Sequence, residues 1–375
     1  MISSEKNMAR LPLFKKGALT LENMHDINAP RFGVSKQNMN LLKINDRNDT
    51  KIVAYWLFLM AILVGMMVII GGITRLTGSG LSMAEWRPLI GTLPPLNNQE
   101  WIRVFELYKN TPEYQQLNFG MQMGEFKQIF FWEYFHRLWG RLLGIVYVLP
   151  LIYFFVQRRI PLGYPLPLIG LALAGGFQGV VGWWMVVSGL SAEPTVSQYR
   201  LAIHLSIALG IFVCLVWMAH SLSAGKSKLK FGAPTFILAL IFVTIIAGAF
   251  VAGMDAGLLY NHYPLMGDGF IPVEYGEKGL FDPFENPASA QFHHRWIALF
   301  ATAGVIYLWR HALSLRIAVR RANLMIIIVF GQFVLGILTL INAAPVPLGA
   351  MHQTGALLLL AASLSVIHCL YRETP

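Results

Sequence analysis

The stretch EFKQIFFWEYFHRLWGRL, residues 125–142, places acidic and basic groups at the start of a strongly apolar segment. If this segment is helical, Glu133 and His136 are three residues apart and share a face, with Arg137 beside them and Gly140 one turn further on. Ionisable groups within an apolar helix are costly and are usually functional. The stretch therefore predicts a helix that carries a functional site, and the rest of the chain is expected to form its scaffold.

The composition indicates a membrane protein. The 375 residues are 55% hydrophobic and only 13% charged, with a mean hydropathy of +0.54, which is more apolar than a soluble globular chain. The predicted fold class is an all-α integral membrane protein with eight transmembrane helices. These lie at about 52–73, 129–156, 163–187, 199–221, 231–252, 292–313, 323–342 and 347–370.

The basic residues indicate the orientation in the membrane. They collect in the first 51 residues and on alternate loops, whereas the loop 253–290 has one lysine against six acidic residues. By the positive-inside rule both termini are inside, and the net charge of +10 is a topology signal rather than a sign of nucleic-acid binding. Residues 1–51 are expected to form a loosely ordered inside tail that can touch membrane lipid. They lack the pattern of a signal peptide or an organellar presequence, which favours a bacterial inner membrane over a mitochondrial one.

The chain also matches itself when it is cut near residue 225. Four ordered pairs of segments correspond: 69–81 with 245–258, 135–149 with 293–309, 177–186 with 331–340, and 201–210 with 349–358. Each half contains four predicted spans, so both halves have the same orientation. We therefore predict two parallel four-helix bundles, 52–224 and 225–375, related by an axis along the membrane normal.

Four of the ten histidines recur in this repeat, and they begin the second and fourth spans of each half: His136, His204, His294 and His352. Each is followed four residues later by glycine or alanine, on the same helix face. Two imidazoles on facing helices are too few for a closed zinc site or a di-iron carboxylate site. They suit the two axial positions of a haem. A single such histidine could equally be a hydrogen-bonded residue at a polar helix junction.

The remaining polar residues of these helices have alternative interpretations. Arg137 and Arg295 follow two of the four histidines and are candidate partners for haem propionates, although interfacial snorkelling explains them as well. Five histidines without a repeat partner are expected at the surface or the membrane interface: His25, His220, His262, His311 and His368.

The two halves differ in one acidic residue. Glu133 stands three residues before His136, whereas Gln291 stands three before His294. The first half also has the larger outer loop, 74–128, which is expected to contain a helix within 97–127. We therefore assign the reaction to the first bundle and electron supply or structural support to the second. The alternative for Glu133 is a salt bridge to Arg137 one helical turn away.

Several long motifs occur in order along the chain. They are GGITRLTGSGLSMAEWRP (71–88), FFWEYFHRLWGRLLG (130–144), FQGVVGWWMVVSGL (177–190), VSQYRLAIHL (196–205), AGAFVAGMDAGLLYN (247–261) and ENPASAQFHHR (285–295). With these motifs the chain resembles the haem A synthase family, in its proteobacterial and mitochondrial form, over about residues 52–370. The Gram-positive branch carries a cysteine pair in the first outer loop, and residues 74–128 contain no cysteine.

The resemblance implies an oxidoreductase that converts the C8 methyl group of haem O, through two successive hydroxylations, into the formyl group of haem A for cytochrome oxidase. It implies haem O or haem A on His136 and His204, a haem b cofactor on His294 and His352, and Glu133 as the essential acidic residue. Haem O synthase and cytochrome oxidase assembly factors are expected partners, with an electron donor that the sequence does not identify. A b-type di-haem electron-transfer protein and a haem transporter remain as alternatives, because both also need histidine pairs.

Overall fold

The structure is a computed structural model that describes residues 36–85, 93–190 and 194–373, and the side chains of these residues from position 48 onward. Within these ranges it is all helical and contains no strand, as predicted. The helices are α1 (Lys36–Leu76), α2 (Asn98–Lys109), α3 (Pro112–Gln116), α4 (Met123–Val156), α5 (Pro165–Gly189), α6 (Gln198–Ala224), α7 (Ala233–Gly253), α8 (Asp282–Glu285), α9 (Pro287–Ser314), α10 (Val319–Ile341) and α11 (Val346–Glu373).

Among the described helices, eight are long and apolar enough to cross a membrane: α1, α4, α5, α6, α7, α9, α10 and α11. Their number and order confirm the predicted spans, but several begin earlier than hydropathy indicates, and for α4 and α9 the cap explains why. Helix α4 begins at Met123 rather than at 129, because Gln122 and Glu125 form a capping box. Helix α9 begins at Pro287 rather than at 292, because the Asn286 side chain caps its first turn.

Helix α1 also extends further than expected. It begins at Lys36 rather than at 52, so the prediction of a loosely ordered tail is wrong for residues 36–51. Adding a residue to an existing helix costs far less than starting one, which allows a polar segment to continue the helix of the span. Residues 1–35 of the predicted tail lie outside the described residues. Everything below concerns the compact unit that begins at Asp46.

The first outer loop, which we define as residues 77–122, contains the expected helix. Helices α2 and α3 are capped by Asn97 and Thr111, whose side chains accept hydrogen bonds from backbone N–H groups three residues on. The loop packs on the first turns of α4 through a buried aromatic cluster: Phe105, Tyr108, Phe126 and Phe130. These contacts place the outer loop directly above the residues that the sequence marked as functional.

Helix α1 is joined to helices from both predicted bundles. Trp139 Nε1 of α4 donates to the Leu63 carbonyl at 3.0 Å, and Gln353 Nε2 of α11 donates to the Val68 carbonyl at 2.9 Å. Helix α11 is the most enclosed of the eight spans. Of the residues in its most apolar stretch 61% are buried, against 11% for α10. The fold therefore fixes the helices that carry His136 and His352 on two sides of α1. The division at residue 225 and the membrane orientation stay predictions.

Candidate functional site

Each of the four repeated histidines packs against a glycine of the preceding long helix. The Cε1 atom of the imidazole would lie about 3 Å from a Cβ placed on that glycine: 3.2 Å for His136 on Gly71, 3.0 Å for His204 on Gly182, 3.2 Å for His294 on Gly248, and 2.9 Å for His352 on Gly336. Real Cβ atoms essentially never come as close as the 2.9 Å at Gly336, and the 3.0–3.2 Å at the other three glycines is tighter than most Cβ contacts, so a larger residue at any of them would push the ring away. The four rings are half-buried.

The glycine contacts follow one order in both halves of the chain. Gly71 and Gly248 lie on the first long helix of each half, and Gly182 and Gly336 lie on the third. Self-comparison of the sequence had matched the segments that contain these glycines, but such a match does not show which side chain packs on each glycine. Gly140, one turn after His136, is packed against α1, since a Cβ placed on it would lie 3.4 Å from Met67 Cε.

Two glutamines hold the backbone of the fourth helix in each half. Gln178 Nε2 donates to the His204 carbonyl, and Gln332 Nε2 donates to the His352 carbonyl, both at 2.9 Å. A carbonyl oxygen has two lone pairs, so it accepts this bond in addition to its helical one. The glutamine therefore locks the turn from which the imidazole projects.

The rings of His294 and His352 face each other across α9 and α11. Their centroids are 6.5 Å apart and their planes are inclined by 85°. A metal–imidazole bond is about 2 Å, so two imidazoles on opposite sides of one metal ion have centroids about 6 Å apart. Among the described residues, no group of three or more histidine, cysteine or acidic side chains could hold a metal ion. The separation fits a pair of axial ligands rather than a closed four-ligand site.

The tautomer of His294 is fixed by its backbone contact. Its Nδ1 lies 3.1 Å from the Thr244 carbonyl oxygen, so Nδ1–H donates and Nε2 keeps a lone pair for a metal. The Nδ1 atoms of His204 and His352 are buried and have no hydrogen-bond partner among the described residues. His136 and His204 lie within electrostatic range of each other.

Glu133 fastens the first outer loop to α4. The side chain is 3% exposed, and Oε2 accepts hydrogen bonds from Ser82 Oγ at 2.8 Å and from the Met83 N–H at 2.7 Å. Oε1 accepts from Arg137 Nη2 at 2.5 Å. Arg137 also donates to the carbonyls of Met83 and Glu85. The bridge between Glu133 and Arg137 that the sequence left as an alternative is therefore present, and it extends to the loop.

The second half contains the same arrangement without the carboxylate. Gln291 is 2% exposed, and its Oε1 accepts from Arg295 Nη2 at 3.2 Å. Arg295 donates to the carbonyls of Tyr260 and His262 in the second outer loop. Both arginines therefore hold an outer loop on the helix of a repeated histidine. The feature that only the first half has is the negative charge of Glu133.

One sequence prediction about the remaining histidines is wrong. His368 was expected at the surface or interface, but it is fully buried. Its ring lies 5.0 Å from Trp217 and 5.6 Å from His220, and its Nε2 is 3.1 Å from Ser221 Oγ. His368 lies near the end of a span, which suggested that it would be exposed. It is buried because α11 is surrounded by the other helices.

The comparisons with known proteins agree with this geometry. A family model described as cytochrome oxidase assembly protein, COX15-CtaA, matches residues 54–364. The chain is 44% identical over 338 residues to the heme A synthase of Nitrosospira multiformis, covering 86% of this chain and 94% of that relative. It is 43% identical over 341 residues to the heme A synthase of Parvibaculum lavamentivorans, covering 88% and 97%. A heme A synthase–mitochondrial ferredoxin fusion protein of Schizosaccharomyces pombe is 39% identical over 386 residues, covering 89% and 62%.

Proposed function

Because this chain belongs to the COX15-CtaA family of cytochrome oxidase assembly proteins, we propose that it oxidises the C8 methyl group of haem O to the formyl group of haem A. The observation that carries the proposal is the repeated packing of an imidazole on a glycine in both halves, with a buried carboxylate in only one of them. Two similar haem sites explain why the histidine–glycine packing occurs in both halves. A reaction at only one of these sites explains why only one half has the carboxylate.

The four histidines are the residues that would hold the haem iron in the two proposed sites. We assign haem O or haem A to His136 and His204, and a haem b cofactor to His294 and His352. The 6.5 Å separation of the second pair supports this assignment, as does the Thr244 contact that leaves Nε2 of His294 free to ligate. When bound, haem supplies the redox chemistry, and the protein supplies orientation and electrostatics.

The two arginines remain proposed propionate partners. Arg295 supports this role because its Nε is a buried donor without a partner among the described residues, and a carboxylate is the natural acceptor for a guanidinium. Arg137 already bonds Glu133 and two loop carbonyls. We therefore propose that Arg137 acts mainly by holding the loop over the first site, and that any propionate contact is additional.

Glu133 is the proposed catalytic residue. Its carboxylate lies three residues before a ligand histidine and is shielded from solvent by the first outer loop. In such low-dielectric surroundings a fixed negative charge stabilises positive charge that develops at the methyl carbon, and a carboxylate also accepts a proton. The bonds to Ser82, Met83 and Arg137 hold the charge in one place, so that no reorganisation is needed during the reaction.

The proposed setting is a bacterial inner membrane. Haem O synthase would supply the substrate, and cytochrome oxidase assembly would consume the product. The fusion of one relative to a mitochondrial ferredoxin supports a small iron–sulfur protein as the electron donor. The eight apolar helices make the chain a multi-pass membrane protein.

Mass analysis of the porphyrins extracted from the purified protein tests the proposed function most directly. Haem O together with haem A is the expected result, because a synthase holds both its substrate and its product. Haem b alone would contradict the proposal and would favour a di-haem electron-transfer protein or a haem transporter.

The histidine–glycine contact yields a prediction for the second site. Gly336→Ala would place a Cβ 2.9 Å from Cε1 of His352. The His352 ring must therefore move out of the position in which it faces His294. Changes around a metal ligand typically cost about 10- to 100-fold in affinity. We expect the variant to lose most of its haem b absorbance in the reduced-minus-oxidised spectrum.

Gly331→Ala is the matched control for this prediction. It lies on the same helix, and a Cβ there has no atom within 4 Å, so the haem content should stay at the wild-type level. If Gly336→Ala binds haem b as the control does, the proposed role of the glycine contact is wrong.

A further inference from the structure

A second buried carboxyl lies in the first outer loop. Glu113 is on the short helix α3 and is only 6% exposed. Its Oε2 is buried and has no hydrogen-bond partner among the described residues. An acidic side chain is rarely enclosed in this way unless it is paired. The mechanism derived above makes no use of it.

The carboxyl of Glu113 has a single hydrogen-bond donor among the described residues. Its carboxyl is hydrogen-bonded to the Tyr108 hydroxyl, and that hydroxyl also accepts from Asn118 Nδ2 at 2.7 Å. Tyr108 is fully buried and packs on Phe126 with ring centroids 5.2 Å apart. The hydroxyl has one hydrogen to give, so it satisfies one carboxyl oxygen and leaves Oε2 bare. A bare buried oxygen destabilises the ionised carboxylate more than the neutral acid.

Three charged or titratable groups lie within hydrogen-bond or electrostatic range of Glu113: Tyr108 on α2, Glu133 on α4 and Arg75 at the end of α1. Burial is the main cause that raises the pKa of Glu113 to about 7, and the charge of Glu133 acts in the same direction. The Tyr108 hydrogen bond and the charge of Arg75 oppose the rise. Glu113 is therefore a carboxyl that changes its protonation state near neutral pH.

The two carboxyls differ in their partners. Glu133 accepts from a guanidinium and two further donors, whereas Glu113 has one hydroxyl donor and no bonded cation among the described residues. Neighbouring carboxyls in different surroundings commonly divide acid and base roles. The outer loop thus places Glu113 within electrostatic range of a carboxyl that is bonded to a cation.

We propose that Glu113 is the proton-exchanging group of the site around Glu133, carrying protons between that site and the outer aqueous phase during methyl oxidation. The proposal rests on the proposed function. Converting a methyl to a formyl group by two hydroxylations breaks two C–H bonds and forms one C=O bond. With dioxygen as the oxidant, each hydroxylation takes up two electrons from the donor and two protons and releases one water, and the second product loses a further water to give the formyl group. Glu113 supplies a proton when its O–H bond at Oε2 breaks, and it regains one from the outer water when that bond forms again. It acts through Glu133 and need not touch the haem.

The test is the pH dependence of haem O conversion by the full-length protein in detergent, with Glu113→Gln compared with wild type. Wild type is expected to show an ionisation step near pH 7. Glu113→Gln is expected to lose that step and to convert haem O about 100-fold more slowly, the usual size of a proton-transfer contribution, with an unchanged haem spectrum. Glu106→Gln is the matched control, since Glu106 lies in the same loop but is exposed and bonded to Lys109.

A stability measurement separates failure of this proposal from failure of the proposed function. The raised pKa means that the folded protein holds a proton on Glu113 between about pH 4.5 and pH 7 that the unfolded chain has released. The stability contributed by the protonated carboxyl is therefore lost as pH rises through 7. Glu113→Gln should match wild type in thermal midpoint at pH 5 and exceed it at pH 8, even if no haem O is converted.

Two results would overturn the proposal. One is a Glu113→Gln variant that keeps the rate and the pH profile of wild type while wild type converts haem O. The other is a thermal midpoint whose difference from wild type is the same at pH 5 and pH 8, because Glu113 would then not titrate in this range.

Discussion

Replacing His294 by alanine is expected to remove the haem b absorbance from the reduced protein while leaving the signal of the other haem. The structure gives two reasons. His294 faces His352 at a centroid separation of 6.5 Å, which suits a shared metal ion, and its Nδ1 contact with Thr244 orients Nε2 for ligation. Alanine removes both the ligand and its backbone anchor, so His352 alone would have to hold the group.

The neighbouring histidine provides a matched control. His293 lies on the same turn, but its Nδ1 is 2.8 Å from the Ser289 carbonyl and its ring stacks on Tyr275. His293→Ala therefore removes an imidazole from α9 without touching the pair, and its reduced spectrum should equal that of wild type. An unchanged spectrum in His294→Ala would contradict the ligand assignment. Equal losses in both variants would point to damage to α9 rather than to a lost ligand.

The sequence predicted the features that depend on local pattern. Runs of apolar residues predicted the eight long helices, and the self-comparison selected the same four histidines that share the glycine contact. Helix starts were less accurate, because the caps at Gln122 and Asn286 are polar signals that hydropathy does not detect. The early start of α1 was missed for a related reason, since a polar segment continues an apolar helix without any apolar signal.

Features that depend on contacts between distant residues could not be predicted. Glu133 and Arg137 bond to residues 82–85, which lie about 50 positions earlier in the chain. Only the salt bridge between Glu133 and Arg137, four residues apart on one helix, has a sequence signature. The burial of His368 follows from the enclosed position of α11, which no residue of that helix reveals. Glu113 gave no signal either, because its partners Tyr108 and Asn118 are brought together by the fold of the outer loop.

Glu133→Gln is expected to keep both haems bound and to slow haem O conversion by about 100-fold or more. The second half supports this separation of effects. There Gln291 occupies the equivalent position and still bonds Arg295 beside a loop that remains in place, so a neutral amide is compatible with this architecture. The substitution therefore removes the charge while it keeps the size of the side chain. Spectra of the reduced protein measure haem binding, and mass analysis of the extracted haems measures haem O conversion.

The glutamine variant also changes one hydrogen bond, and a second variant accounts for that change. Glu133 accepts from Ser82, Met83 and Arg137, whereas an amide has one oxygen and its nitrogen cannot accept. Ser82→Ala removes one of these loop contacts and leaves the carboxylate in place, at a cost of about 1 to 3 kcal/mol for a buried bond to a charged group. If the charge matters for the chemistry, Ser82→Ala will retain most of the conversion rate that Glu133→Gln loses. If both variants lose conversion equally, Glu133 acts by holding the loop, and the proton and charge roles proposed for it are wrong.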